Sequence, residues 1–345
     1  MTKMNHALSG FFFFFCLFIS IEAKAQVDGK EVARGLGLTG EEIAQMEDGD
    51  VLAFSDAAYE NTNRDLAADA IVLIDAPLEK VLETLNDETS LLPDKVLLDD
   101  GTIFSEADLA GIGFTNEEFE TVEELFAATA GEKFNFSANE FAAVKARLDP
   151  HRKSDKSSKV EAASAAIRDL LIERYRSYQA AGLEGIEPFQ RKRGKQLDIG
   201  HELRIVTEAF QAFEDEFPEY VQEVQSYPVS NGCCDHEFRW LKLEVSKQPA
   251  FVLSHKIQQA SSEFILITER YYYFSNASAN NAQITFAWLP YEEGTYMGVA
   301  VSASTDILDS MMGRMLRPLG RNKAKDFVTE ALEEIQTDLE NEPGN

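Results

Sequence analysis

Cysteine is scarce in this 345-residue chain, and so are cations. It holds 3 Cys, 32 Lys and Arg together, and 60 Asp and Glu, for a formal net charge of −28. Cys233 and Cys234 are adjacent, and Cys16 lies in an N-terminal apolar run. Cysteines this few cannot staple a fold of this size, so the core must stand on apolar burial. The charge balance excludes bulk electrostatic attraction to nucleic acid, because such a chain repels phosphate backbones, and it repels anionic lipid surfaces for the same reason. Catalytic signatures are missing too. No G-x-S-x-G, H-E-x-x-H or Walker loop occurs, and Asp99-Asp100-Gly101 lacks EF-hand ligand spacing. No fixed-period repeat is visible, which argues against a solenoid.

Long apolar runs are limited to one. Lys3 and His6 precede Leu8–Ile21, and Ala23 and Ala25 follow in an A-x-A arrangement. This is the form of a secretory signal peptide over residues 1–25, cut after Ala25, and it predicts a secreted or periplasmic protein. A membrane anchor would need about 20 apolar residues, and no later window reaches that length, so no stable span is expected after cleavage. The acidic composition then reads as solubility, while 44% hydrophobic residues over the whole chain and the 18 of its 24 Phe that lie beyond the six in the signal supply a core.

Local patterns place the elements. Thr39-Gly-Glu-Glu42 has capping-box form and predicts a small helix. VLAFSDAAY (Val51–Tyr59) and Leu66–Ile74 read as an antiparallel hairpin around a turn-rich ENTNRD. At Asp75-Ala76-Pro77 the strand must end, because proline has no N–H for a ladder, yet Pro77 suits the first turn of a helix. Val81, Leu82 and Leu85 give that helix its apolar stripe. From Thr89 to about Pro228 the pattern is of short helices, with capping-box forms at Thr115–Glu118 and Ser137–Glu140 and an exposed linker at Asp149–Lys159. A long helix is predicted over Lys159–Ala181, and another carries Leu203, Val206, Phe210, Phe213 and Phe217 on one face before Pro218. Five strands then follow at short intervals: Phe238–Val245, Ala250–Ile257, Glu263–Phe274, Ala282–Leu289 and Thr295–Ser304. Such short connections predict an antiparallel meander. A helix is expected from Thr305 to about Leu339, kinked or split at Pro318.

The strand end Ala76-Pro77 with Glu79, Val81, Leu85 and Asp87, the five-strand meander and the C-terminal helix together resemble the START-like superfamily of helix-grip proteins, which includes lipid-transport proteins and polyketide cyclases/dehydrases. Leu82 departs from the family pattern, where an aromatic residue is frequent. The resemblance covers about Gly49–Asp87 and Phe238–Leu339. It implies an α+β fold, an antiparallel helix-grip sheet around a long C-terminal helix, with an apolar cavity between them. The organisation expected is residues 26–88 as N-terminal hairpin and first helix, 89–228 as an all-helical insertion, and 229–345 as the meander and closing helix. No universal catalytic residues exist in the family, so none are expected here, and no cofactor is implied.

The function expected is non-catalytic binding or carriage of an apolar small molecule such as a lipid. The alternatives are a structural or partner-binding protein with a filled core, and an enzyme of the cyclase or hydrolase kind. Cavity walls would come from Tyr271, Tyr273 and Trp288 on the strands and from Met311, Met312 and Met315 on the helix, where flexible thioethers accommodate irregular ligands. Apolar residues at helical spacing are also what a packed core presents. In a regular strand Tyr271 and Tyr273 share a face and Tyr272 opposes them. Their hydroxyls either enter a pocket or lie at a sheet surface. Cys233, Cys234 and His236 raise a metal site, but adjacent cysteines chelate one ion awkwardly, and none is assigned. A four-residue SKQP turn would set His255 opposite Trp240 and away from His236. Gln190–Gln196, the densest basic run, reads as a solvated turn or a contact to an acidic partner or to the protein's own acidic surface. Asn135 and Asn276 begin glycosylation triplets, which are common by chance.

Overall fold

The computed structural model describes residues 38–54, 62–87, 96–208, 216–309 and 311–341, together with Arg34 and Glu214. The expected signal peptide, residues 1–25, lies outside the described residues. Helix α1 (Gly40–Glu47) starts at the predicted capping box: the Thr39 backbone N–H donates to Glu42 at 2.8 Å and the Glu42 N–H donates to the Thr39 hydroxyl. Strands β1 (Leu52–Phe54) and β2 (Asp65–Ile74) form the predicted hairpin, with Leu52 opposite Ile71. Helix α2 (Leu78–Asp87) follows at once. Pro77 sits just before it and its carbonyl accepts the first bonds, from Lys80 and Val81, while the Thr295 hydroxyl donates to the buried Ala76 carbonyl at 2.7 Å. The Ala-Pro corner is therefore pinned to the far end of the chain.

The middle segment is not all-helical. It opens with strand β3 (Leu97–Thr102), which pairs with a later strand as one edge of the main sheet. Asp99-Asp100-Gly101 is poor strand sequence, and only an edge position with exposed acids tolerates it; tertiary pairing overrides the local preference. Helices α3 (Phe119–Ala127), α4 (Ala138–Leu148) and α5 (Lys156–Ala181) follow, then a two-stranded ribbon of β4 (Phe189–Gln190) and β5 (Gln196–Leu197), then α6 (Ile199–Glu208) and α7 (Pro218–Ser226). The box at Ser137–Glu140 forms as predicted. Helix α5 begins inside the predicted linker because the Asp155 carboxylate accepts from the Ser158 N–H at 2.8 Å.

The meander is as expected: β6 (Asp235–Val245), β7 (Gln248–Ala260), β8 (Ile265–Phe274), β9 (Asn281–Tyr291) and β10 (Gly294–Ser304), closed by α8 (Met311–Asn341), which runs through Pro318 without a break. The chain is thus α+β, with eight helices among the described residues and one antiparallel eight-stranded sheet in the order β1-β2-β10-β9-β8-β7-β6-β3. Val72 and Trp288 flank Met297 in one row of that sheet.

The sheet is covered on both faces. On one, Val72, Ile267, Phe286, Trp288 and Met297 form a cluster with Val81 of α2 and with Val328 and Leu332 of α8. On the other, Phe251, Leu253, Tyr272 and Tyr273 join Leu125, Leu148, Leu171 and Tyr178 of the middle helices. The middle segment is thus a third layer behind the sheet. Every residue of β8 is consequently buried. At the α5 end, Gly182 has φ +57°, and a Cβ there would lie 2.1 Å from the Tyr227 carbonyl oxygen, so only glycine allows the chain to turn back against that loop.

The molecule carries one natural probe of each layer, since Trp240 packs against the middle-helix cluster and Trp288 lies beneath α8. In Trp288→Phe and in Trp240→Phe, the urea midpoint from the remaining tryptophan is expected to coincide with that from far-UV circular dichroism, as a single cooperative unit requires. An earlier transition at Trp240 alone would mean that the middle segment unfolds as a separate domain.

Candidate functional site

The face beneath α8 contains polar groups in an apolar setting. Tyr271 and Glu269 of β8, Ser254 of β7 and Trp288 of β9 all belong to it, and each is 2% exposed or less. The Tyr271 hydroxyl donates to Glu269 Oε2 at 2.9 Å. Trp288 Nε1 has no hydrogen-bond partner, and Glu269 Oε1 and Ser254 Oγ have none in good geometry, although the Ser254 hydroxyl lies close enough to Glu269 to pull its pKa down. Burial raises the Glu269 pKa above its ordinary value against the opposing pull of its hydroxyl neighbours and of Arg239 and Lys256, favouring the neutral acid. A neutral carboxyl whose second oxygen already accepts from Tyr271 can donate from the first. This face thus carries a carboxyl and a hydroxyl on adjacent strands and, four register positions further along β9, an indole N–H, all in an apolar setting.

The predicted wall residues separate. A β-bulge falls between the Leu253–Tyr273 and Ser254–Tyr271 pairs, leaving Tyr272 as the extra residue. Alternation stops there: Tyr272 and Tyr273 both face the middle helices, while Tyr271 and Phe274 face α8. Tyr273 is therefore not a neighbour of Tyr271 on the α8 face; the Arg174 guanidinium lies 4.1 Å from its ring centroid on the other side. Met315 is 80% exposed, pointing away from the sheet. The side chains of Met311 and Met312 lie outside the described residues.

Behind the sheet is an array that the sequence reading missed. Tyr178 of α5 bonds His255 Nδ1 at 3.0 Å, His255 Nε2 bonds His236 Nδ1 at 3.0 Å, and His236 Nε2 bonds Glu223 Oε1 of α7 at 3.0 Å. Glu223 Oε2 accepts from the Asn231 N–H at 2.7 Å, and these bonds from Asn231 and His236, with Ser230, depress its pKa in spite of burial. Phe238 stacks on His255 with centroids 4.4 Å apart, and Tyr178 stacks on Tyr272 at 3.9 Å. The expected register hid the array. Its turn is Ser246-Lys247, both at positive φ, so Val245 pairs with Gln248 and His255 lies opposite Phe238, not Trp240. A two-residue hairpin turn needs positive φ, which Asn or Gly ordinarily signals, and neither is present. With the register moved by two residues, His236 becomes the diagonal neighbour of His255 on the same face.

The remaining candidates resolve locally. Cys233 and Cys234 are free thiols with sulfurs 2.6 Å apart, and burial raises both pKa values. Among the described residues no group of three or more His, Cys, Asp or Glu is arranged to hold a metal ion. In the basic run, Arg191 pairs with Asp306 and donates to Asn135 and Asn280 at 2.7 and 2.9 Å, and Lys192 pairs with Glu132, so it contacts the protein's own acidic groups. Asn135 is fully buried with its amide donating to three carbonyls, of Phe274, Asn276 and Ala279, which leaves no access for a glycan. Among the described residues no helix is long and apolar enough to cross a membrane. In comparisons with known proteins, no family profile, curated protein or solved structure matches the chain.

Burial, with Arg270 and His236 nearby, holds His255 well below the usual imidazole range. The unfolded chain takes up a proton near pH 6.5 that the folded chain refuses. The residue's stabilising share is therefore complete above that pH and is lost as pH falls. The unfolding free energy is expected to drop by up to about 1.4 kcal/mol per pH unit from this one proton. Urea titrations between pH 7.5 and 5 check it: His255→Gln should flatten the profile, and an unchanged slope would show that the imidazole titrates normally.

Proposed function

We propose that this protein binds and carries an apolar small molecule with a hydrogen-bonding group, such as a lipid, on the sheet face beneath α8. The single observation that carries the reading is the set of buried polar atoms there without a well-formed hydrogen bond, Glu269 Oε1, Ser254 Oγ and Trp288 Nε1. Native interiors leave few such atoms, because each costs about 1–3 kcal/mol when nothing bonds it. A ligand that brings a hydroxyl, carbonyl or amide to this wall removes that cost, and its apolar body meets Ile267, Phe286 and Met297.

In this reading the sheet and α8 are a helix-grip pair, the middle segment is a rigid backing, and the protein works outside the cytoplasm after its leader is removed. The backing matters for binding. With its rear face packed against α3 to α5, the sheet cannot flatten when a ligand enters, so accommodation falls to α2 and α8. A filled core is the second reading, and one observation favours it: Val72, Met297 and Trp288 are all fully buried in a single row beneath α8.

Native mass spectrometry separates the two. The purified protein, incubated with a total lipid extract, should carry an adduct, and Glu269→Leu or Trp288→Phe should weaken its uptake by about tenfold, the effect of losing roughly 1.4 kcal/mol of contact. A clean apo mass with no uptake from the extract would overturn carriage in favour of the filled core.

A further inference from the structure

We infer that the N-terminal half of α8 is a docking surface for anionic lipid bilayers. Met311–Lys325 holds Arg314, Arg317, Arg321, Lys323 and Lys325 and no acid, in a chain whose acids outnumber its cations 60 to 32. Asp326–Asn341 is the reverse: Asp326, Glu330, Glu333, Glu334, Asp338 and Glu340, with no cation. This order opposes the helix macrodipole, which favours anions at the N-terminus and cations at the C-terminus. Neither helix stability nor solubility accounts for it, because both would be served by the opposite arrangement or by more acid.

The inner side of this half-helix is accounted for. Gly320 lies against Leu66, with 3.1 Å between its projected Cβ position and the nearest Leu66 carbon, and Arg317 donates to the Thr62 and Asp65 carbonyls at 2.9 and 2.8 Å. The outer side is not. Met315 and Leu319, one turn apart, are 80% and 54% exposed, Ile307 just before the helix is 55% exposed, and Pro318 and Lys323 are exposed beside them. An apolar crest with an exposed lysine, Lys323, one turn beyond Leu319 on a cation-rich, acid-free half-helix is the pattern of a helix that lies in a bilayer interface. A nucleic acid would satisfy the cations and leave Met315 and Leu319 in water, so the apolar crest selects lipid.

The chain's overall negative charge does not forbid this. Charges separated by more than about 8 Å are largely screened at physiological ionic strength, so a bilayer in contact with α8 meets the local cations first. Each Lys or Arg close to an anionic leaflet then adds to the attraction. The inference rests on charge order and exposure, and stands whether or not the face beneath α8 takes a ligand.

Flotation of the full chain with phosphatidylglycerol-rich and pure phosphatidylcholine vesicles tests it. Binding to the anionic vesicles should exceed binding to the neutral ones by about tenfold or more and weaken as salt is raised. Lys323→Glu with Lys325→Glu, and separately Met315→Asp with Leu319→Asp, should each reduce it by about tenfold, with far-UV spectra and lipid-extract uptake by native mass spectrometry unchanged. No flotation with anionic vesicles, equal flotation of all variants, or flotation abolished only by the charge reversals and competed by single-stranded RNA would overturn the assignment. Loss of uptake in the wild type with flotation intact would count against carriage alone.

Discussion

Ten successive pairs between β2 and β10, from Ile74 opposite Thr295 to Asp65 opposite Ser304, hold together segments more than two hundred residues apart. Everything else depends on that ladder. It makes one sheet of a hairpin and a meander, places α2 at the end of a strand that the C-terminal part has already fixed, and lays α8 along β2, with Arg317 at the Asp65 end and Gln336 donating to Leu73 at the other. Long-range pairing of this kind is slow to find and cooperative once formed. The 220 residues between, 75 to 294, must therefore fold as part of the same event or wait beside it, a consequence of loop-closure cost growing only slowly with length.

Elements with local chemical punctuation were legible in the sequence. The capping boxes at Thr39 and Ser137, the Ala-Pro corner and the five meander strands all came from side chains acting within a few residues of themselves. What could not be read locally was set by partners far away. Edge strand β3 exists because β6 offers it a ladder, in spite of its Asp-Asp-Gly. The Ser246-Lys247 turn carries no Gly or Asn, so the register of β6 on β7, and with it the approach of His236 to His255, was hidden. The bulge at Tyr272 is likewise a product of strand pairing, and it turned a predicted pair, Tyr271 and Tyr273, into residues of opposite layers. Of the candidate site, the burial of Tyr271 and Trp288 in the sheet followed from strand pattern; Glu269 and Ser254 did not stand out, since one acid among 60 carries no signal until its environment is known.

Two buried titratable groups lie back to back on β7 and β8. Glu269 faces α8 with its neutral form favoured, and His255, opposite Arg270, faces the middle helices with its neutral form favoured. Both are consequences of desolvation by the two-sided covering of the sheet. A sheet open on one side would leave one of these groups in water at its ordinary pKa. The middle segment, which accounts for much of the chain, thus shapes the chemistry of the sheet it covers.

The four-membered array behind the sheet has a direction. For an ionised Glu223 and one proton on each imidazole, only one assignment of hydrogens satisfies every bond: Tyr178 donates to His255, His255 to His236, and His236 to the carboxylate. Reversing any single link places two hydrogens, or two lone pairs, against each other, so the links hold one another in that direction. The array is a chain of tautomers oriented one way by a single buried carboxylate and readable, as an orientation, at a phenol in the interior.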